Sequence, residues 1–117
     1  MATPIYLEDP AYRCLRVDDI DGYHLAIINR QEVDFTGANL RGIDLRKADL
    51  EKVKLRDAYL RDADLRGCDL RHMDLEGASF HGAKVAGAYL PGNVSAAELA
   101  LSLEHGTRIR TETPQEG

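Results

Sequence analysis

A chain of 117 residues with a formal net charge of −5 has room for one domain and one core. The stretch Val33–Gly92 holds eight Asp and two Glu against six Arg and four Lys and is neutral, whereas residues 1–32 carry −3 and residues 93–117 carry −2. A neutral body with interspersed signs has little long-range field to recruit nucleic acid or an anionic membrane, and no run approaches the roughly 18 apolar residues of a spanning helix.

The opening MATPIYLEDP has neither a basic n-region nor an apolar h-region. With Cys14 and Cys68 far apart in the chain, the expectation is a soluble, cytoplasmic protein with reduced thiols. Residues 1–32 read as an N-terminal cap. Asp9-Pro10 has the form of an N-cap followed by proline at the first helical position, which predicts a short helix from about Pro10 to Val17 with Tyr12 and Leu15 on one face. Asp19 can cap a second helix whose apolar stripe is Ile20, Tyr23 and Ile27. The rival reading makes Asp21-Gly22 the turn of a hairpin between Leu15–Val17 and Tyr23–Leu25.

Residues 33–92 are twelve uninterrupted pentads: VDFTG ANLRG IDLRK ADLEK VKLRD AYLRD ADLRG CDLRH MDLEG ASFHG AKVAG AYLPG. The third residue of each is Phe, Leu or Val, and the first is Ala, Val, Ile, Cys or Met, so all twenty-four of these positions are apolar. Neither a period of 3.6 nor one of 2 explains that pattern, whereas a short fixed repeat buries its apolar residues by stacking unit on unit. Extending the register backwards puts Arg30 at an inward position, so the repeat is expected to begin after it.

The run resembles the pentapeptide-repeat proteins of the short, single-domain, bacterial type, whose signature Ala-(Asp/Asn)-Leu-X-X is purest here in ANLRG, ADLEK and ADLRG. The resemblance implies an all-β solenoid: a right-handed quadrilateral β-helix of about three coils, four pentads to a coil, here with a small helical N-terminal segment and a C-terminal capping helix. Residues twenty apart would then stack about 4.8 Å apart, giving inner ladders such as Phe35/Leu55/Leu75 and Leu50/Leu70/Leu90. Cys68 becomes a core filler between Ala48 and Ala88. Glycine closes the pentads at 37, 42, 67, 77, 82, 87 and 92, where a corner favours φ > 0. Lys47, Lys52, Asp57, Asp62 and His72 hold the other corners and invite a different turn.

Outside, the residue before the centre is Asp in six pentads and the residue after it is Arg in six, an arrangement that neutralises itself. The candidate partner-binding surface comprises Asn39, Arg41, Tyr59 and Arg61 together with Asp44, Arg46, Asp64, Arg66 and Tyr89, since exposed tyrosine and arginine have hot-spot composition.

Residues 93–111 are expected to close the far end. Ser95 and Glu98 fit a capping box, with Val94 and Leu99 as its hydrophobic staple, and a helix from Ala96 to about His105 stops at Gly106 and covers the last ladder. Thr107–Thr111 alternates like a short strand, and residues 112–117 read as a disordered tail.

The four histidines show no metal-ligand spacing, no Gly-rich phosphate loop precedes a helix, and the aspartates lack a companion base or nucleophile. No catalytic, cofactor or metal site is therefore expected, and the leading expectation is a non-enzymatic interaction or scaffold module with a protein partner, as a monomer or as a homodimer through a solenoid end. The alternative that the resemblance brings is a DNA-mimicking modulator of DNA gyrase, acting as a dimer. Against it stand the neutral body and a rise of only about 14 Å, under half of the roughly 34 Å turn of B-DNA.

Overall fold

The computed structural model describes residues 5–112. A 3-10 turn, Ile5–Glu8, leads into helix α1, Pro10–Arg16. Asp9 starts α1 by accepting the Ala11 N–H at 2.8 Å, and Pro10 fills the position where no N–H is needed. The helix ends as Asp18 turns left-handed, φ 60°. The Asp18 N–H then reaches the Leu15 carbonyl at 3.2 Å and the Asp19 N–H the Cys14 carbonyl at 2.8 Å, the two bonds of a Schellman closure. Asp19 goes on to cap helix α2, Ile20–Ile27, by accepting the Gly22 N–H at 2.9 Å.

The hairpin reading is thereby excluded, because Asp21-Gly22 lies in the first turn of α2. Glycine is needed there for close approach: a Cβ would sit 2.2 Å from Asp19 Oδ2 and 2.9 Å from Cys14 Sγ.

Ala11, Tyr12 and Leu15 of α1 and Tyr23 and Ile27 of α2 are buried in one core with the start of the repeat, where the Tyr12 and Phe35 rings meet edge-on at 6.1 Å. The same helices answer the polar problem of an open ladder, whose first layer has no neighbour below to bond its backbone. Tyr12 Oη donates to the Asn39 carbonyl at 2.6 Å, Arg16 to the Arg41 carbonyl at 2.8 Å, and Tyr23 Oη to the Asp49 carbonyl at 2.7 Å. His24 Nε2 accepts the Asp49 N–H at 3.1 Å.

In the repeat, strand β1, Val33–Asp34, pairs in parallel with strand β2, Val53–Lys54, Val33 facing Val53. The same spacing of twenty residues recurs in the ladders Asn39–Tyr59–Ser79, Asp44–Asp64–Lys84 and Asp69–Tyr89. Between ladders the chain turns at each pentad, the first apolar residue donating to the centre carbonyl three residues earlier, as Ala38 does to Phe35 at 2.9 Å and Ala63 to Leu60 at 3.1 Å. The centres from Phe35 to Phe80 are all buried. Cys68 is buried too, its Sγ 3.4 Å from the Leu45 carbonyl, and burial pushes its thiol pKa up.

The corners depart from expectation in two ways. Gly92 does not adopt positive φ, whereas Asp57 and Asp62 do, at 59° and 58°, matching the glycines stacked with them. Lys47, Lys52 and His72 do turn differently, without positive φ. These three corners border a break: among the described residues, no backbone hydrogen bond joins 47–55 to 67–74. The stacking of residues twenty apart is therefore not a continuous hydrogen-bonded ladder. Side chains span the break instead, His72 Nε2 lying 3.2 Å from the Leu50 carbonyl and Arg56 donating to Asp74 at 2.7 Å.

Helix α3, Ala96–His105, begins at Ser95, whose Oγ accepts the Glu98 N–H at 3.1 Å, and ends at Gly106 in the left-handed region, φ 73°. Glu98 does not complete the expected capping box; its carboxylate holds Arg110, at 2.9 Å from Nη2. Nor does α3 cover the whole last layer. Fully buried Ser102 accepts the Phe80 N–H at 2.8 Å and Leu103 the Gly82 N–H at 3.0 Å, while Ile109 pairs with Gly77 and Ala78 at 2.8 Å each. Ala83, Val85, Ala88 and Leu90 beyond them stay half-buried. Glu112, assigned to the tail from sequence, donates its N–H to the Asn93 carbonyl at 2.7 Å; residues 113–117 of that tail lie outside the described residues.

Candidate functional site

The aspartate before each centre has a structural duty that the charge pattern did not disclose. Asp34, Asp44, Asp49, Asp64, Asp69 and Asp74, and Asn39 likewise, accept the N–H two residues on at 3.0–3.2 Å. This side-chain bond satisfies a corner N–H that turns away from the ladder. In three pentads the arginine after the centre folds back onto the same aspartate through two bonds: Arg46 on Asp44 at 3.0 and 2.7 Å, Arg66 on Asp64 at 2.9 and 2.7 Å, and Arg71 on Asp69 at 3.0 and 2.8 Å. The guanidinium bonds hold the carboxyls of Asp64 and Asp69 at about 2, below the usual 3.8.

Five pentads lack the Asp or Asn that makes the corner bond: those with Lys54, Tyr59, Ser79, Lys84 and Tyr89 before the centre. At Tyr89 the loss is harmless, because the residue two on is Pro91, which has no N–H.

The predicted surface residues fall on three ladders and do not form one site. Asp44, Arg46, Asp64 and Arg66 share a ladder and satisfy one another; Arg46 Nε also reaches Asp64 at 3.2 Å. Tyr89 stands on another, its ring under the Arg71 guanidinium at 5.0 Å. Asn39 and Tyr59 pair on the third, and Arg41, Tyr59 and Arg61 line a groove of about 350 Å³ there, with Ser79, His81, His105 and Arg108.

Arg108 was missed from the sequence. The antiparallel pair Ser79–Arg108 brings it to this ladder, where its guanidinium lies 5.1 Å from the Tyr59 ring centroid and donates to the Tyr59 hydroxyl. No periodicity could place a strand outside the repeat on a particular face; His81, by contrast, is the third member of the row Arg41, Arg61 and His81 at twenty-residue spacing.

A larger cleft, about 720 Å³, opens where the ladder breaks and is lined by Arg46, Asp49, Leu50, Glu51, Cys68, Asp69 and His72 among others. Among the described residues no group of three His, Cys, Asp or Glu side chains is placed to hold a metal ion, and no helix is long and apolar enough to cross a membrane.

A family model described as pentapeptide repeats matches residues 31–67 and 58–92, with eight copies, and so spans more than half of the chain. No curated protein matches the chain.

Proposed function

The chain belongs to the pentapeptide-repeat family, and from that premise we propose that it is a non-enzymatic protein–protein interaction or scaffold module, built on a right-handed quadrilateral β-helix of about three coils. The observation that carries the reading is the division of labour within each pentad: the two apolar positions are buried from Val33 to Phe80 except at half-buried Ala48, so polar and charged variation is confined to the outer side chains. The twenty-residue register over residues 33–92 supports the coil count, and the family supports the handedness. Six of the eight aspartates of the repeat are committed to corner N–H groups, and three of these also to a guanidinium two residues on, which supports binding over catalysis.

The neutral repeat favours a protein partner over nucleic acid or membrane, and two free thiols fit a cytoplasmic setting. Half-buried Val85 and Leu90 at the far end are consistent with a homodimer through that end as well as with a monomer. Such a dimer is what the gyrase-modulator reading requires, yet the neutral body opposes DNA mimicry; supercoiling left unchanged at large molar excess would dispose of it.

Native-level affinity capture with crosslinking tests the proposal. The expected result is a recurrent protein partner crosslinked to outer side chains of the repeat. Reproducible turnover by the purified domain with no specific partner would overturn it.

A further inference from the structure

We propose that the groove formed by Arg41, Tyr59, Arg61 and Arg108 receives an acidic segment of a partner protein, its carboxylates taken by the guanidinium groups. This deepens the interaction-module reading and rests on it. Elsewhere on the repeat arginine is consumed internally: Arg46, Arg66 and Arg71 each grip the aspartate two residues earlier at 2.7–2.8 Å. On this ladder the corresponding residues are Asn39, Tyr59 and Ser79, so no such aspartate exists. Among the described residues Arg41 has no carboxylate partner, Arg61 reaches only Asp62 at 3.9 Å, and Arg108 reaches only Asp57 at 3.7 Å. Guanidinium groups without a close carboxylate are free to take an incoming one.

Two further observations point the same way. This row forgoes the corner bond twice, at Tyr59 and Ser79, where each of the other rows forgoes it once, a breach of the local structural rule of the kind found where side chains serve recognition. Tyr59 in turn positions Arg108, stacking under its guanidinium and accepting its hydrogen bond, so little side-chain freedom is left to lose on binding. A groove of about 350 Å³ suits a few side chains, and a chain of net charge −5 with acidic ends repels a long polyanion, which favours a short acidic peptide over nucleic acid.

The test is fluorescence anisotropy with a short labelled poly-glutamate peptide on the full chain, alongside a poly-glutamine peptide and a single-stranded oligonucleotide. The glutamate peptide is expected to bind, more weakly as salt rises, and the glutamine peptide not to bind. Arg41→Gln with Arg61→Gln should weaken binding about tenfold or more with an unchanged melting temperature, whereas Arg56→Gln with Arg71→Gln should change it less than about twofold. No binding by the wild-type chain, equal losses in the two double variants, or preference for the oligonucleotide would each overturn the proposal. Capture of a native partner that survives Arg41→Gln/Arg61→Gln would also overturn it while leaving the interaction module standing; absence of any native partner would strike the module itself.

Discussion

Arg30 grips Asp9 through two parallel bonds, Nη1 to Oδ2 and Nη2 to Oδ1, both 2.7 Å. The same carboxylate caps α1, so one residue ties the start of the helical cap to the start of the repeat. Asp9→Ala, which removes both the pair and the cap, should cost about 2–4 kcal/mol in denaturant unfolding, and Asp9→Asn, which keeps a capping oxygen, should cost visibly less. Equal losses would mean that the capping bond contributes nothing and the ion pair carries the whole effect.

Tyr23 is fully buried and spends its hydroxyl on the Asp49 carbonyl at 2.7 Å. Tyr23→Phe keeps the packing and strands that carbonyl, so stability should fall by about 1–3 kcal/mol. A neutral outcome in thermal melts would show that the exposed edge of the first layer needs no polar cover.

Gly77 and Asp57 share a corner stack, and a Cβ on Gly77 would lie 1.8 Å from Asp57 Oδ1, besides the strain of φ +77°. At Gly37, φ +70°, the space around a Cβ is open. Gly37→Ala should therefore cost about 1 kcal/mol from backbone strain alone, and Gly77→Ala more. Asp62, itself at φ 58°, should accept Gly better than Ala by about 1 kcal/mol.

The pentad period made the buried rows legible, and the resemblance to the pentapeptide-repeat proteins supplied the twenty-residue register, since a period of five does not by itself set how many pentads make a coil. The helical cap was legible from Asp9-Pro10 and Asp19, although Asp21-Gly22 carried a rival hairpin signal until the closeness of Asp19 and Cys14 to Gly22 explained the glycine. The corner duty of the aspartates stayed hidden, since a carboxylate bonded to a backbone N–H looks like a surface charge in sequence. Arg108 stayed hidden because its place depends on a strand pairing that no repeat specifies.

Asp64 and Asp69 have carboxyl pKa values of about 2 in the folded chain against the usual 3.8. A depressed value stabilises the folded state above the unfolded value, and that contribution is lost as pH falls toward the folded one. The melting temperature should thus hold from neutral pH to about 5 and drop between about 4 and 2. Asp64→Asn with Asp69→Asn keeps the corner bonds but not the titrating groups and should shallow that drop; an unaltered acid limb would assign it to other carboxylates.

The separation of a fixed interior from a free exterior is tested most directly by one pair of thermal melts. Leu65 is fully buried, and its neighbour Arg66 is largely solvated. Leu65→Asp puts an unpaired charge into the core and should abolish the cooperative transition, while Arg66→Ala should cost no more than about 1 kcal/mol, a shift of a few degrees. Comparable melting of the two variants would contradict the register on which both the fold and the binding face depend.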